Sequence, residues 1–378
     1  MTELTKFDEA QERQMRHALA LAKKGLYTTT PNPRVGCVLV RNDAVVGEGW
    51  HERAGQPHAE AMALRHAGDQ ANGSTAYVTL EPCSHHGRTP PCADALVAAG
   101  VTHVVVATLD PNPLVSGQGV ARLRAAGVTV QTGLCEAEAQ ELNIGFMTRM
   151  RLGRPWVRAK AAASIDAVTA LPDGKSQWIT GEAARADGHR WRARACAILT
   201  GYGTVRDDDP RLTVRHIDTE RQPIRVVVDA RLETPADAKV LRLENGQIDP
   251  ATVLVYAQDP QSRAAGLQDL GVHLLPLPND SGKVDLAGLI HHLGDREINE
   301  LHVEAGFKLN GSLQREQCID EWLLYFAPCF LGAGNGIANL GAVENLDARH
   351  AFAFHDAEPV GEDLRVLMRR NPTPNVNE

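Results

Sequence analysis

His58, Cys83 and Cys92 must meet at one point if they are to act together, and that requirement constrains the first half of this chain more than any other feature. Imidazole nitrogen and thiolate sulfur are donors that zinc prefers, and a catalytic zinc keeps one of its four positions for water. The residues stand in the order His58-Ala59-Glu60, Glu81-Pro82-Cys83 and Pro91-Cys92, with a proline before each cysteine. Residues 61–65 and 92–99 read as helices. Cys92, and with it Cys83, is therefore expected at a helix N-terminus, where the dipole favours a thiolate. A structural zinc site would use four protein ligands and would have no need of Glu60.

A water held at such a metal loses its proton near neutral pH and can attack a ring carbon bearing an exocyclic amino group. Glu60 then carries protons to the ring nitrogen and the leaving ammonia. This makes Glu60 the acid/base and not a ligand. A lone histidine is usually a surface or core residue, and a free cysteine a small buried hydrophobe. The ordered set instead matches the zinc deaminase signature in all but one respect. Nucleoside and tRNA deaminases place two residues between the cysteines, whereas residues 84–91 intervene here.

Strand and helix signals alternate along both halves. Residues 15–21 and 120–126 have helical spacing, while 36–40, 44–46, 76–80 and 102–107 read as strands, giving an α/β layer with the ligands at strand ends. Residues 142–146 and the basic stretch 149–154 read as a junction, so the domains are placed at 1–150 and 151–370, with a Pro/Asn-rich tail at 371–378 expected to be disordered. Strands at 156–164, 197–200, 224–229, 252–256 and 301–304, with a helix at 181–195, make a second α/β sheet covered on both faces.

At 378 residues and 43% hydrophobic composition, the chain has room for two cores. Its net charge is −8 and neither half has a basic excess, which weighs against nucleic acid. Seven cysteines, no signal peptide and no apolar run long enough to span a bilayer point to a reducing cytoplasm and away from a membrane. The cysteines other than Cys83 and Cys92 read as buried thiols. Two glycine clusters, Gly201-Tyr-Gly and Gly332-Ala-Gly-Asn-Gly, fall short of a dinucleotide-binding G-x-G-x-x-G, and the second reads as a plain loop.

The run from Thr79 through Glu81-Pro82-Cys83-Ser84-His85-His86-Gly87-Arg88-Thr89-Pro90-Pro91-Cys92 resembles the bifunctional riboflavin-biosynthesis pyrimidine deaminase/reductase family. The resemblance extends through Thr30-Pro31-Asn32-Pro33, Gly49-Trp50-His51 and Asp110-Pro111-Asn112-Pro113-Leu114. It continues into the second half at Ser176-Gln177-Trp178, Gly203-Thr204-Val205, Asp208-Asp209-Pro210, Leu212-Thr213-Val214-Arg215 and Glu304-Ala305-Gly306.

The resemblance implies a cytidine-deaminase-like three-layer domain followed by a dihydrofolate-reductase-like domain that uses NADPH without a Rossmann motif. It also implies one zinc per chain, a pyrimidine ribotide as substrate, and a homo-oligomer. By carry-over, His58, Cys83 and Cys92 hold the metal, and Asn32, His51 and Asp110 line the deaminase pocket. Ser176, Arg192, Leu212, Arg215 and Glu304 hold the reductase substrate, while Ala162, Trp178, Thr204, Asp208 and Gly306 touch NADPH. Lys160 and Asp166 assist. Arginine suits a ribose phosphate because its planar fork binds phosphate oxygens in pairs.

Each of these has a plainer reading beside it. Either arginine alone reads as a surface ion pair, Trp178 as a core aromatic, and Asp208 and Asp209 as a turn or cap. One departure is Ala167, where the family usually has glycine after the Asp of its Ser-x-Asp turn; alanine there would be costly if the turn needs a positive φ. It keeps open a rival reading, a deaminase whose second domain only binds or assembles. A nucleic-acid-editing deaminase would need a basic, aromatic-bearing surface, which an acidic chain with 4% aromatics lacks.

Overall fold

The computed structural model describes residues 7–84, 91–112 and 115–371. Residues 85–90, Pro113, Leu114 and the tail beyond Asn371 lie outside the described residues. The chain divides into two compact units between Gly153 and Arg154.

The first unit runs α1 (Glu9–Lys24), β1 (Gly36–Arg41), β2 (Ala44–Trp50), α2 (Ala59–Ala67), β3 (Thr75–Val78), α3 (Cys92–Ala98), β4 (His103–Val106), α4 (Gln118–Ala125), β5 (Thr129–Thr132), α5 (Glu136–Leu142) and α6 (Ile144–Leu152). Helix α1 starts at a capping box. Asp8 accepts from the Gln11 N–H at 2.7 Å and its own N–H donates to the Gln11 side chain at 3.1 Å, with acidic residues in the first turn and Lys23 and Lys24 in the last. The sheet order is β2-β1-β3-β4-β5, antiparallel at β2-β1-β3 and parallel at β3-β4-β5.

Period-two alternation sorts the side chains to two faces. Cys37, Leu39, Val78, Val104 and Val106 pack with α2, α3 and α4, while Val38, Tyr77 and Val105 pack with α1 and α5. This is the three-layer arrangement. Helix α2 lies so close to β2 that a Cβ on Gly49 would sit 2.6 Å from the Ala63 nitrogen, so glycine there seats the helix that follows His58. The stretch read as a junction is largely α6, whose Phe146 and Met147 pack on Leu80.

The second unit runs β6 (Trp156–Ser164), α7 (Glu182–Arg194), β7 (Ala197–Gly201), α8 (Tyr202–Asp208), β8 (Ile224–Val228), β9 (Val253–Tyr256), α9 (Ala264–Asp269), β10 (His273–Pro276), α10 (Leu286–Asp295), β11 (Glu300–Val303), α11 (Phe307–Arg315), β12 (Glu321–Ala327), β13 (Phe352–Val360) and β14 (Asp363–Arg370). Its sheet order is β10-β9-β8-β7-β11-β6-β12-β14-β13. The strands from β10 to β12 are parallel, and the β13–β14 hairpin adds an antiparallel edge. One face packs on α10 and α11, the other on α7, α8 and α9. The chain leaves β6, passes to β7 and only later fills the gap with β11, so β6, β11 and β7 lie side by side where the strand order reverses, the usual place for a ligand crevice in such sheets.

Charge is buried within this unit. Arg158, 1% exposed, donates through Nε to Glu321 and through Nη1 to Glu300 at 3.1 Å. Glu300 also receives Arg194 and Glu321 receives Arg369, each at 2.7 Å, and the Arg158 guanidinium lies 4.4 Å over the Trp191 ring.

Candidate active sites

In the first unit His58 stands at the N-cap of α2 and Cys92 opens α3, so two of the three expected donors ride on helix starts packed against the same sheet face. Cys83 does not: it lies after β3, where residues 81–84 are irregular chain. It gains a hydrogen bond all the same, from the Cys92 backbone N–H at 3.3 Å. His58 Nδ1 stands 3.6 Å from Cys83 Sγ and 3.4 Å from Cys92 Sγ, and the three donor atoms lie within 4.8 Å of one another.

Tetrahedral zinc with ordinary Zn–N and Zn–S bonds places such donors roughly 3.5 Å apart. The residues therefore fit zinc, with a fourth position left for water. The Cys83 thiol is drawn well down towards thiolate, first by the Cys92 thiol and then by His58 and the Cys92 N–H. Glu60, the second residue of α2 and 3% exposed, has its carboxyl pushed up to about 7 by burial. A carboxyl so placed can both take and give a proton near neutrality.

His51 packs edge-on to His58 with ring centroids 5.5 Å apart. Its Nδ1 faces the Pro57 carbonyl at 3.1 Å, which only accepts, so Nδ1 carries the proton and Nε2 accepts from Asn32 Nδ2 at 3.0 Å. Burial favours this neutral ring by holding its pKa below the usual value. Asp110, half-buried after β4, accepts at Oδ1 from the Asn112 N–H at 2.8 Å.

In the second unit, Glu304 follows β11 and meets Arg192 from α7, with the Nη2–Oε2 contact at 2.8 Å. Arg192 Nη1 also donates to the Thr213 carbonyl at 3.1 Å, so Arg192 is an enclosed, paired arginine and not a surface one. The Arg192 guanidinium holds the Glu304 carboxyl well below the usual carboxylate range against the opposing effect of burial. Arg215 is exposed; its backbone N–H donates to His189 Nδ1 at 3.2 Å and its Nη1 to Thr213 Oγ1 at 3.2 Å. Burial lowers the His189 pKa to about 4, which keeps that nitrogen an acceptor. Leu212 is buried, with φ +51°. Lys160, on β6, has its pKa lowered by burial.

Thr204, near the start of α8, and Gly306, the N-cap of α11, come together: a Cβ on Gly306 would lie 3.8 Å from Thr204 Oγ1. Trp178 is no core aromatic. It is 72% exposed, with the Arg185 guanidinium 4.8 Å from its ring. Its neighbour Gln177 reaches Asp208 at 3.5 Å, and burial raises the Asp208 pKa. Ser176 sits half-buried in the loop before α7, and Ala162 half-buried on β6 opposite Tyr325 of β12.

Asp166 holds structure. Its carboxylate accepts from Ser164 Oγ and from the backbone N–H groups of Leu331 and Gly332, at 3.2 and 2.8 Å. Of the glycine cluster at 332–336, Gly332 thus helps to hold an anion that the chain itself supplies, within a segment that is a loop as expected. Ala167 adopts φ +63°, so the turn does call for a left-handed residue. Among the cysteines, Cys37, Cys196 and Cys318 are buried but Cys135 and Cys329 only partly.

The chain matches the family model of the RibD C-terminal domain over residues 155–365 and that of the cytidine and deoxycytidylate deaminase zinc-binding region over residues 8–108. It is 44% identical over 366 residues to the riboflavin biosynthesis protein RibD of Escherichia coli K12, covering 93% of this chain and 97% of that one. A solved RibD from Acinetobacter baumannii is similar at TM-score 0.88 and 44% identity, over 96% of this chain and 99% of that one. A diaminohydroxyphosphoribosylaminopyrimidine deaminase/5-amino-6-(5-phosphoribosylamino)uracil reductase from Thermotoga maritima is similar at TM-score 0.85 and 32% identity, with the same coverage.

Proposed function

The chain belongs to the RibD family of riboflavin-biosynthesis proteins, and from that membership we propose how its two units divide the chemistry. It is a bifunctional enzyme that deaminates a pyrimidine and then reduces the product. The substrate of the first step is 2,5-diamino-6-(5-phosphoribosylamino)pyrimidin-4-one, and the second turns the ribosyl side chain into ribityl. The observation that carries the reading is the His58–Cys83–Cys92 cluster, its donor atoms within 4.8 Å of one another, with Glu60 buried beside it.

Zinc, when bound, supplies a water of lowered pKa. Glu60 takes the proton of the attacking water and delivers protons to the ring nitrogen and the departing amine. His51, fixed as the Nδ1–H form by Asn32 and Pro57, presents its ring to His58 and lines the pocket with Asp110.

In the second unit the nicotinamide, when bound, supplies a hydride. We assign it as NADPH, held by Ala162, Trp178, Thr204, Asp208 and Gly306, on the support of Thr204 and Gly306 converging at the crevice. Arg215 offers the ribose phosphate an exposed cation, and Arg192 and Glu304, with Ser176 and Leu212, define the sugar side. The task of these residues is to bring the sugar's C1 to the cofactor in its ring-opened form. Residence in the cytoplasm and self-association belong to the same proposal; among the described residues no helix is long and apolar enough to cross a membrane.

The test is one cuvette in which ammonia release and NADPH absorbance are followed together with the diaminopyrimidine ribotide. Both signals are expected. Ammonia without NADPH oxidation would favour the deaminase whose second unit only binds, and would implicate Ala167. Neither signal from folded, zinc-loaded protein would sink the substrate assignment.

A further inference from the structure

Glu81 belongs to neither the ligand set nor the acid/base machinery, yet it is only 6% exposed. Its carboxylate accepts three backbone N–H groups: Oε2 takes those of Asp110 at 3.1 Å and Gly117 at 2.9 Å, and Oε1 takes that of Val120 at 3.1 Å. Gly117, the N-cap of α4, has no side chain to satisfy that helix, so Glu81 caps it from another element and puts negative charge at its positive end. The Glu81 N–H in turn donates to the Thr108 carbonyl at 3.0 Å.

Packing makes the same connection independently. A Cβ on Gly119 would sit 2.0 Å from the Pro82 carbonyl oxygen and 3.2 Å from Glu81 Cγ, so the first turn of α4 is pressed onto the Glu81-Pro82 corner at a distance only glycine allows. Arg122, one turn on, donates to the Ser84 carbonyl at 3.0 Å and to Asp94 of α3 at 2.7 Å. Cys83 therefore lies between two residues whose backbone or side chain is tied to α4.

We propose that Glu81 is a positioning residue of the deaminase unit: its carboxylate fixes the backbone at Asp110 and Gly117 relative to Cys83, and so sets the distance between the substrate-lining residues and the metal. The inference rests on the deaminase reading of this unit. Glutamine at this position has one acceptor oxygen where the carboxylate has two, and its amide would point hydrogens at a backbone N–H.

The experiment compares full-length E81Q with the wild type. Expected are a rise in KM for ammonia release of roughly tenfold or more, because charge-assisted hydrogen bonds and substrate alignment are lost together, with one zinc per chain retained and the NADPH-dependent step unaltered. Amide hydrogen exchange at Asp110, Gly117 and Val120 should accelerate. E81D, which keeps the charge but shortens its reach, should fall between, and carries the same comparison if E81Q does not fold. An unchanged KM, or a lost zinc with kcat reduced at constant KM, would overturn the proposal in favour of a purely structural cap. If wild-type, zinc-loaded protein releases no ammonia from the ribotide, the deaminase reading fails instead. The exchange measurement still decides whether Glu81 holds the loop, since unchanged exchange at the three amides refutes it.

Discussion

Arg192 donates from two nitrogens, Nε and Nη2, to the two separate oxygens of Glu304, in a pair that leaves each side chain only 16% and 15% exposed. Two arginines carried over to one role thus stand in different circumstances. Arg192 is enclosed and committed, whereas Arg215 is open to solvent and braced through its backbone by His189.

Removing Arg192 strands a buried carboxylate. R192A should lose about 3 kcal/mol of stability in the second unit, a loss typical of breaking an enclosed ion pair, along with weaker substrate binding in the reductase step. R192K should recover only part, since lysine lacks the fork. Urea unfolding followed by tryptophan fluorescence checks this, because four of the five tryptophans, Trp156, Trp178, Trp191 and Trp322, lie in that unit. An R192A midpoint equal to the wild type would mean that the pair contributes nothing.

The same pair sets a pH dependence. The Glu304 carboxyl is depressed in the folded state, so its contribution is full above the ordinary glutamate value of about 4.3 and is lost as pH falls through the lower folded value. Acidification from about 4.3 down through the folded value should destabilise the wild type more steeply than E304Q. Parallel stability–pH curves would rule out the linkage.

Deamination should fail separately from reduction. E60Q should keep its zinc and lose ammonia release by at least roughly a hundredfold, while chelation should abolish ammonia release and spare NADPH oxidation with the already deaminated ribotide. Metal analysis beside both assays separates the outcomes, and retained deamination in E60Q would remove it from the acid/base role.

Ala167 sits at φ +63° in a turn whose Asp166 holds the 331–332 backbone. Glycine has no Cβ penalty there but is costlier to order, so A167G should gain up to about 1 kcal/mol. Calorimetry shows it as a raised transition for the second unit, and a lowered transition would mean that the turn tolerates alanine without strain.

The zinc site was legible because its chemistry is local in type: three donors, a glutamate and helix-forming runs all show in the residue order. That Cys83 would lie in a loop was not, since its thiolate is steadied by the backbone of a residue on a different element. Glu81 stands in the Glu-Pro-Cys motif, but its hydrogen bonds to Asp110, Gly117 and Val120 join residues that no local spacing connects. Strands β5, β10 and β12 escaped notice, and the β13–β14 hairpin too, because burial does not alternate with period two along either of its strands. The ion pair of Arg192 and Glu304 joins residues far apart in sequence, and no spacing rule connects them.

The cluster around Arg158 cannot be dismantled one residue at a time. Losing Arg158, Glu300 or Glu321 alone unbalances a buried network in which Glu300 also holds Arg194 and Glu321 also holds Arg369, while exchanging the whole set for apolar side chains of equal volume would cost little. Substitutions through this cluster should therefore be strongly non-additive, each single change costing more than its share of the joint exchange.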